Sequence, residues 1–153
     1  MARSLERWDR SVVDVLFPIT SGLVVAALAT ALDARAESYA SDVSVSRVLP
    51  PALERTARMV TVRDDGGPKD GIQSRRQLGF NVWAETSVAA EQLALLCMAL
   101  VEAMPDGQPI TFVDNVSGPF DVVDDSTDLL VVDGTTLSHF FFTARVSVRG
   151  VDL

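Results

Sequence analysis

Between residues 77 and 85 apolar and polar side chains alternate. Leu78, Phe80, Val82 and Ala84 fall on one side and Gln77, Asn81 and Glu85 on the other, with Trp83 on the polar side. A period of two sends successive side chains to opposite faces of a strand, so this segment predicts a strand with one buried face. The longest run of the kind spans 139–149. There Phe140, Phe142, Ala144, Val146 and Val148 oppose Phe141, Thr143, Arg145, Ser147 and Arg149. Residues 59–63 repeat the pattern, Val60 and Val62 against Thr61 and Arg63, and 43–48 does so more weakly before Pro50-Pro51 stops it. Two short strands are predicted at 110–116 and 120–123, separated by Ser117-Gly118-Pro119.

Elsewhere the period lengthens to that of a helix. In residues 4–16, Leu5, Trp8, Val12, Val15 and Leu16 recur at helical spacing, and Pro18 closes the segment. A second helix is predicted from a cap at Thr20 or Ser21 to about Tyr39, with Val24, Leu28, Ala31 and Leu32 on its apolar side. A third follows Thr86 and Ser87, which offer an N-cap, and runs to about Met104 with Leu93, Leu96, Leu100 and Met104 as its stripe. Pro105-Asp106-Gly107 ends it. The run 64–71, Asp-Asp-Gly-Gly-Pro-Lys-Asp-Gly, has the composition of a long exposed loop, and 124–128 that of an acidic turn.

The expected architecture is therefore α+β: one mixed or antiparallel sheet packed by two main helices, plus a short N-terminal helix. Residues 1–17 form the N-terminal extension and 18–153 a single domain. Leu78, Phe80, Val82, Leu96, Leu100, Phe140, Phe142 and Val146 are expected to be almost fully buried, and Trp83 and Phe141 to lie on non-core faces.

Charge and composition narrow the function. A net charge of −8 argues against a surface that grips nucleic acid, which requires clustered Lys and Arg. Residues 19–32 are apolar but fall short of the roughly 20 residues needed to span a bilayer. Glu6, Asp9 and Asp14 precede them, where a secretory leader would be short and positive. The single cysteine, Cys97, sits in an apolar run and reads as core packing.

Reactive chemistry is sparse. His139 is the one histidine, and Ser138 beside it points to the other strand face, so a Ser–His–Asp arrangement is disfavoured. The 64–71 loop lacks the Lys-Ser/Thr ending of a phosphate-binding loop. Asp64-Asp65 and Asp124-Asp125 would hold a divalent ion only if folding joined them, and neither has calcium-loop spacing. The reading is a non-enzyme without cofactor.

The order of segments resembles the tail terminator family of long-tailed bacteriophages, particularly those of actinobacteria, over residues 19–149. The resemblance lies in a first helix preceding Val-Ser-Val-Ser-Arg-Val-Leu-Pro and in Met-Val-Thr-Val-Arg running into an acidic Gly-Gly loop. Then come Arg-Gln-Leu-Gly-Phe-Asn-Val-Trp-Ala-Glu-Thr and the helix Ala-Ala-Glu-Gln-Leu-Ala-Leu-Leu. Residues 1–17 add to the usual pattern. The resemblance implies a ring, commonly a hexamer, at the head-proximal end of the virion tail and assembled in the host cytoplasm. Such a ring stops tail-tube polymerisation, contacts the major tail tube protein and the head-completion complex, and lets genomic DNA pass without specific binding. Membranes play no part. A neck protein of the same virion is the alternative within this class, and a small metal-dependent hydrolase using the acidic loops the alternative outside it. Candidate interface residues are Trp8, Asp64, Asp65, Lys69, Asp70, Arg75, Arg76, Arg145 and Arg149, with the acidic loop on one side of each subunit and the arginines on the other.

Overall fold

The computed structural model describes residues 15–106, 109–125 and 128–152. Its sheet is organised by two twelve-residue strands, β5 (Gln73–Ala84) and β9 (Ser138–Arg149). They pair antiparallel over their full length, from Gln73 opposite Arg149 to Ala84 opposite Ser138. β3 (Met59–Asp64) lies antiparallel on the other side of β5, and β2 (Ser44–Ser46) lies parallel to β3 at one edge. The long strand β6 (Ile110–Val122) pairs antiparallel with β9 at the other edge. The order is β2-β3-β5-β9-β6, a mixed sheet in an α+β fold as expected.

Three small pairings complete the sheet structure. β4 (Lys69–Asp70) pairs with the start of β5, and β7 (Val131–Val132) forms a tight hairpin with β8 (Thr135–Thr136). β1 (Val15–Leu16) pairs with β10 (Val151–Asp152). The N-terminal helix expected over 4–16 is thus not helical at its last two residues, which find backbone partners in a strand; the remainder, Trp8 included, lies outside the described residues.

Helices α1 (Thr20–Asp33) and α2 (Ser87–Glu102) cover one face of the sheet. α2 starts where the sequence places it, with the Thr86 hydroxyl accepting from the Ala89 N–H at 3.1 Å. Its buried stripe is not the expected one. Ala90, Leu93, Ala94, Cys97 and Val101 face the sheet, while Leu96, Leu100 and Met104 are half-buried along the flank. The cause is volume. Phe80 and Phe142 stack across β5 and β9 with centroids 4.4 Å apart, and small Ala90 and Ala94 let the helix approach that layer.

α1 ends at Asp33 rather than Tyr39. Its last amides tighten to shorter-range bonds, Arg35 N–H to Leu32 C=O, and Arg35 then pairs locally with Glu37 before a 3-10 turn at Ser38–Ala40. Ile19, not Thr20 or Ser21, is its N-cap, and both hydroxyl residues are buried.

The other expected core residues, Leu78, Phe80, Val82, Phe140, Phe142 and Val146, are buried. The expected loop at 64–71 is narrower than its composition suggests, since Asp64 ends β3 and Lys69–Asp70 is β4. Accordingly β5 begins at Gln73. Gly67 is required in this turn, because a Cβ there would lie 1.8 Å from the Arg75 carbonyl oxygen. The two short strands expected at 110–116 and 120–123 are one strand with register shifts against β9, so Ser117-Gly118-Pro119 distorts the pairing without ending it. Gly118 has φ +127° and packs where a Cβ would meet Phe142 Cβ at 2.9 Å.

Truncating one ring of the central stack leaves a cavity that Ala90 and Ala94 are too small to fill. Phe142→Ala is expected to lower unfolding free energy by about 3–5 kcal/mol. Urea denaturation followed by circular dichroism measures this, and a loss below about 1 kcal/mol would contradict the packing described.

Candidate interaction face

The face of the sheet away from the helices is only partly covered. Strand register arranges it in rows, because residues directly opposite one another share a face. The first row runs Met59, Trp83, His139, Val122; the second Thr61, Asn81, Phe141, Phe120; the third Arg63, Gly79, Thr143, Ser117. Below these lie Gln77, Arg145 and Asp114, then Arg75, Ser147 and Phe112, then Gln73 and Arg149.

The first row is closed over. The β7–β8 hairpin folds onto it, and Leu130 and Leu137 bury Met59 and Trp83 in a second apolar cluster. Trp83, expected at the surface, is only 7% exposed. Its indole stacks on the His139 ring at 4.5 Å. His139 is itself engaged at both nitrogens, Nδ1 with Asp124 Oδ2 at 3.0 Å and Nε2 with Asn81 Oδ1 at 2.8 Å. A histidine bonded on both sides fastens the chain just after β6 to β5 and β9. Neither nitrogen is left to serve as a base.

The middle rows are half-open. The Arg63 guanidinium lies 5.7 Å from the Phe141 ring centroid and donates from Nε to Asp65 Oδ1 at 2.6 Å. Gly79 makes room for this, since a Cβ would come within 3.1 Å of both Arg63 and Phe141. Phe120, beside Phe141, is half exposed.

The lower rows are basic. Arg145 Nε donates to Asp114 Oδ1 at 2.8 Å, and its Nη2 also bonds the same carboxylate. Hydrogen bonds from Arg145, with its charge and that of Arg75 behind them, hold the Asp114 carboxyl below the usual carboxylate range. Arg75 and Arg149 are exposed and no ion pair holds either among the described residues. A groove of about 410 Å³ opens here, lined by Gln73, Arg75, Phe112, Asp114, Arg145 and Ser147. Phe112 walls it and is 56% exposed.

The candidate interface residues are thus distributed differently from the expectation. Arg76 points away from Arg75, as strand neighbours must, and its Nη2 lies 3.0 Å from Asp64 Oδ1. Arg76 and Asp64, assigned to opposing sides of a subunit, therefore neutralise each other within one hairpin. Asp65 is held by Arg63 in the same way. Lys69 Nζ lies 5.7 Å from the Phe17 ring centroid, and Asp70 is exposed in β4. Of the nine, Arg75, Arg145 and Arg149 gather on one surface and Trp8 lies outside the described residues. Phe112, Asp114, Phe120 and the covering hairpin escaped sequence reasoning. Alternation would put Phe112 on the buried side with Ile110; a register shift between them turns it to the open face, and further shifts break the phase before Phe120.

The acidic pairs that would have formed a metal site are otherwise occupied, Asp64 and Asp65 by arginines and Asp124 by His139. Among the described residues no group of three or more His, Cys, Asp or Glu side chains gathers, and no helix is long and apolar enough to cross a membrane. Cys97 is buried on the sheet-facing side of α2, and burial pushes its thiol up to about 12.

Two outcomes follow from these geometries. Cys97 should be inert to a thiol-specific disulfide reagent at pH 8 in the native protein and react fully in denaturant; rapid native labelling would contradict its burial. The Asp114 carboxyl is lowered in the folded state, so the stability from its pair with Arg145 is complete above the unfolded-state pKa. It is lost as pH falls through the folded one. Asp114→Asn should therefore narrow the difference between melting temperatures at pH 7 and pH 3, and an unchanged difference would show that the pair contributes nothing.

Compared with known proteins, the chain matches no family model and no curated protein sequence.

Proposed function

We propose that this chain is a structural assembly protein that closes into a head-to-tail ring, of the kind that terminates the tail tube of a long-tailed bacteriophage and joins it to the head-completion complex. The observation that carries the assembly reading is the one-sided sheet. Helices cover one face, while the other keeps Phe112 and Phe120 half exposed among ion pairs. Aromatic side chains framed by charged groups on a rigid sheet have the composition of an interface core with a polar rim. The tail-terminator identity is supported by the segment order from the first helix through Arg76-Gln77-Leu78-Gly79-Phe80-Asn81-Val82-Trp83 to α2.

In this role the protein needs no turnover. Stopping a polymer requires one face complementary to the tube end and another that no further tube subunit fits. A closed ring supplies both, because a head-to-tail interface that returns on itself leaves its two rims chemically distinct. The net charge of −8 suits a lumen through which DNA slides, since like charge lowers sticking to phosphates. The partners are further copies of the chain, the tail tube protein and the neck protein.

Deleting the encoding gene from the parent phage and restoring it in trans tests this. Without the protein, tails of uncontrolled length that fail to join filled heads are expected by electron microscopy, and complementation should restore uniform length. Tails of normal length that remain unjoined would instead assign the protein to the neck.

A further inference from the structure

The sheet is electrically polarised along its strands. At one end of the open face Arg75, Arg145 and Arg149 outnumber Asp114 and the Asp70 that lies across from Gln73. At the other end, residues 121–138 contain Asp121, Asp124, Asp125, Asp128 and Asp133 and no lysine or arginine. Crowding is already felt there, where Asp125, first among the causes, raises the Asp128 carboxyl above its ordinary value. The two ends cannot neutralise each other within one chain. His139 and Ser147 mark them on β9, and at strand rise the separation is roughly 27 Å.

The acidic end also has a shape that fits a groove. The β7–β8 hairpin turns through Asp133 and Gly134, both at positive φ (50° and 79°), the geometry of a narrow two-residue turn. Val131 on this hairpin is 57% exposed, and Asp133, Thr135 and Thr136 are exposed. The basic end supplies the counterpart, a groove of about 410 Å³ with Arg75 held by no ion pair among the described residues and Phe112 as an apolar wall.

We propose that the β7–β8 hairpin of one copy of this chain docks in the Arg75–Phe112 groove of the next, with Asp133 facing Arg75 and Val131 covering Phe112. The contact rests on the ring-forming reading above and names its joint. Hairpin and groove are different surfaces at opposite ends of one sheet, which is what a head-to-tail contact demands and a two-fold dimer does not. The ion pair fixes register and excludes groove-to-groove contact, where arginines would face each other. The apolar contact and the narrow tip account for the exposed Val131 and Phe112.

The test is a charge exchange in the full chain, with mass read by light scattering and ring formation by negative-stain microscopy. The wild-type chain is expected to self-associate in low salt. Arg75→Glu and Asp133→Lys should each weaken association about tenfold or more. Mixed in equal amounts, the two variants should regain wild-type mass in alternating order, because every joint is then either the native or the exchanged pair. Thermal melts establish that each variant is folded. Asp133→Asn removes the charge with a side chain that tolerates positive φ, and decides the matter if the lysine variant does not fold. Single variants with unchanged mass, a mixture that stays small, or a wild-type chain that remains monomeric would each overturn the proposed joint. Tail length in the gene-deletion assay judges the terminator role separately. Rings that survive both reversals would remove the joint and leave that role standing.

Discussion

The uninterrupted pairing of β5 with β9 is the constraint on which the rest depends. Twelve consecutive partners fix which side chains share a row, and a slip by one residue would exchange the two faces of the slipped strand. The stack of Phe80 on Phe142 sits in one of these rows and penalises such a slip, since it would turn the ring of the slipped strand away from its partner and towards water. With the phase set, β3 and β6 inherit it on either side, and the helices have a single apolar surface to cover. The positions of Arg75, Arg145, Phe112 and Asp114 on the opposite face follow from the same register. The open face and the core are therefore two consequences of one pairing.

That coupling explains how glycine is used. Gly79 faces outwards in the middle of β5, where a side chain would strengthen the strand, and the space it leaves is filled by Arg63 over Phe141. Gly118 does the corresponding work at the β6 edge, where close approach to Phe142 admits no Cβ. In both places strand regularity gives way to contact between neighbouring rows.

The strands were legible in the sequence because period two leaves a direct trace of which side is buried. The phase of 77–85 and of 139–149, and the burial of Phe80, Phe142 and Val146, follow from alternation alone. The stripe on α2 was misread because large residues attract attention. Leu96 and Leu100 look like core, yet Ala90 and Ala94 are the residues that allow the helix close to the aromatic layer. Trp83 lies on the expected face, but its burial there is not legible, for a different reason. Its burial comes from Leu130 and Leu137, distant in sequence and arriving on a hairpin whose strands are only two residues each, too short for periodicity to register. The arginines of the candidate site were visible as residue types, but their partners were not. Pairing Arg76 with Asp64 and Arg145 with Asp114 requires knowing which strands are neighbours, which local pattern does not encode.

The two borders of the sheet have a further consequence. β2 is only three residues long and parallel to its neighbour, and β6 departs from regular register at three places along its length. A short border and a crooked one are both poor templates for adding strands from another chain. The backbone at either border thus offers little purchase for strand-by-strand growth, and contact with other copies is left to side chains. Irregularity along β6, which looks like a defect of the sheet, is the kind of feature that keeps an edge strand from templating another.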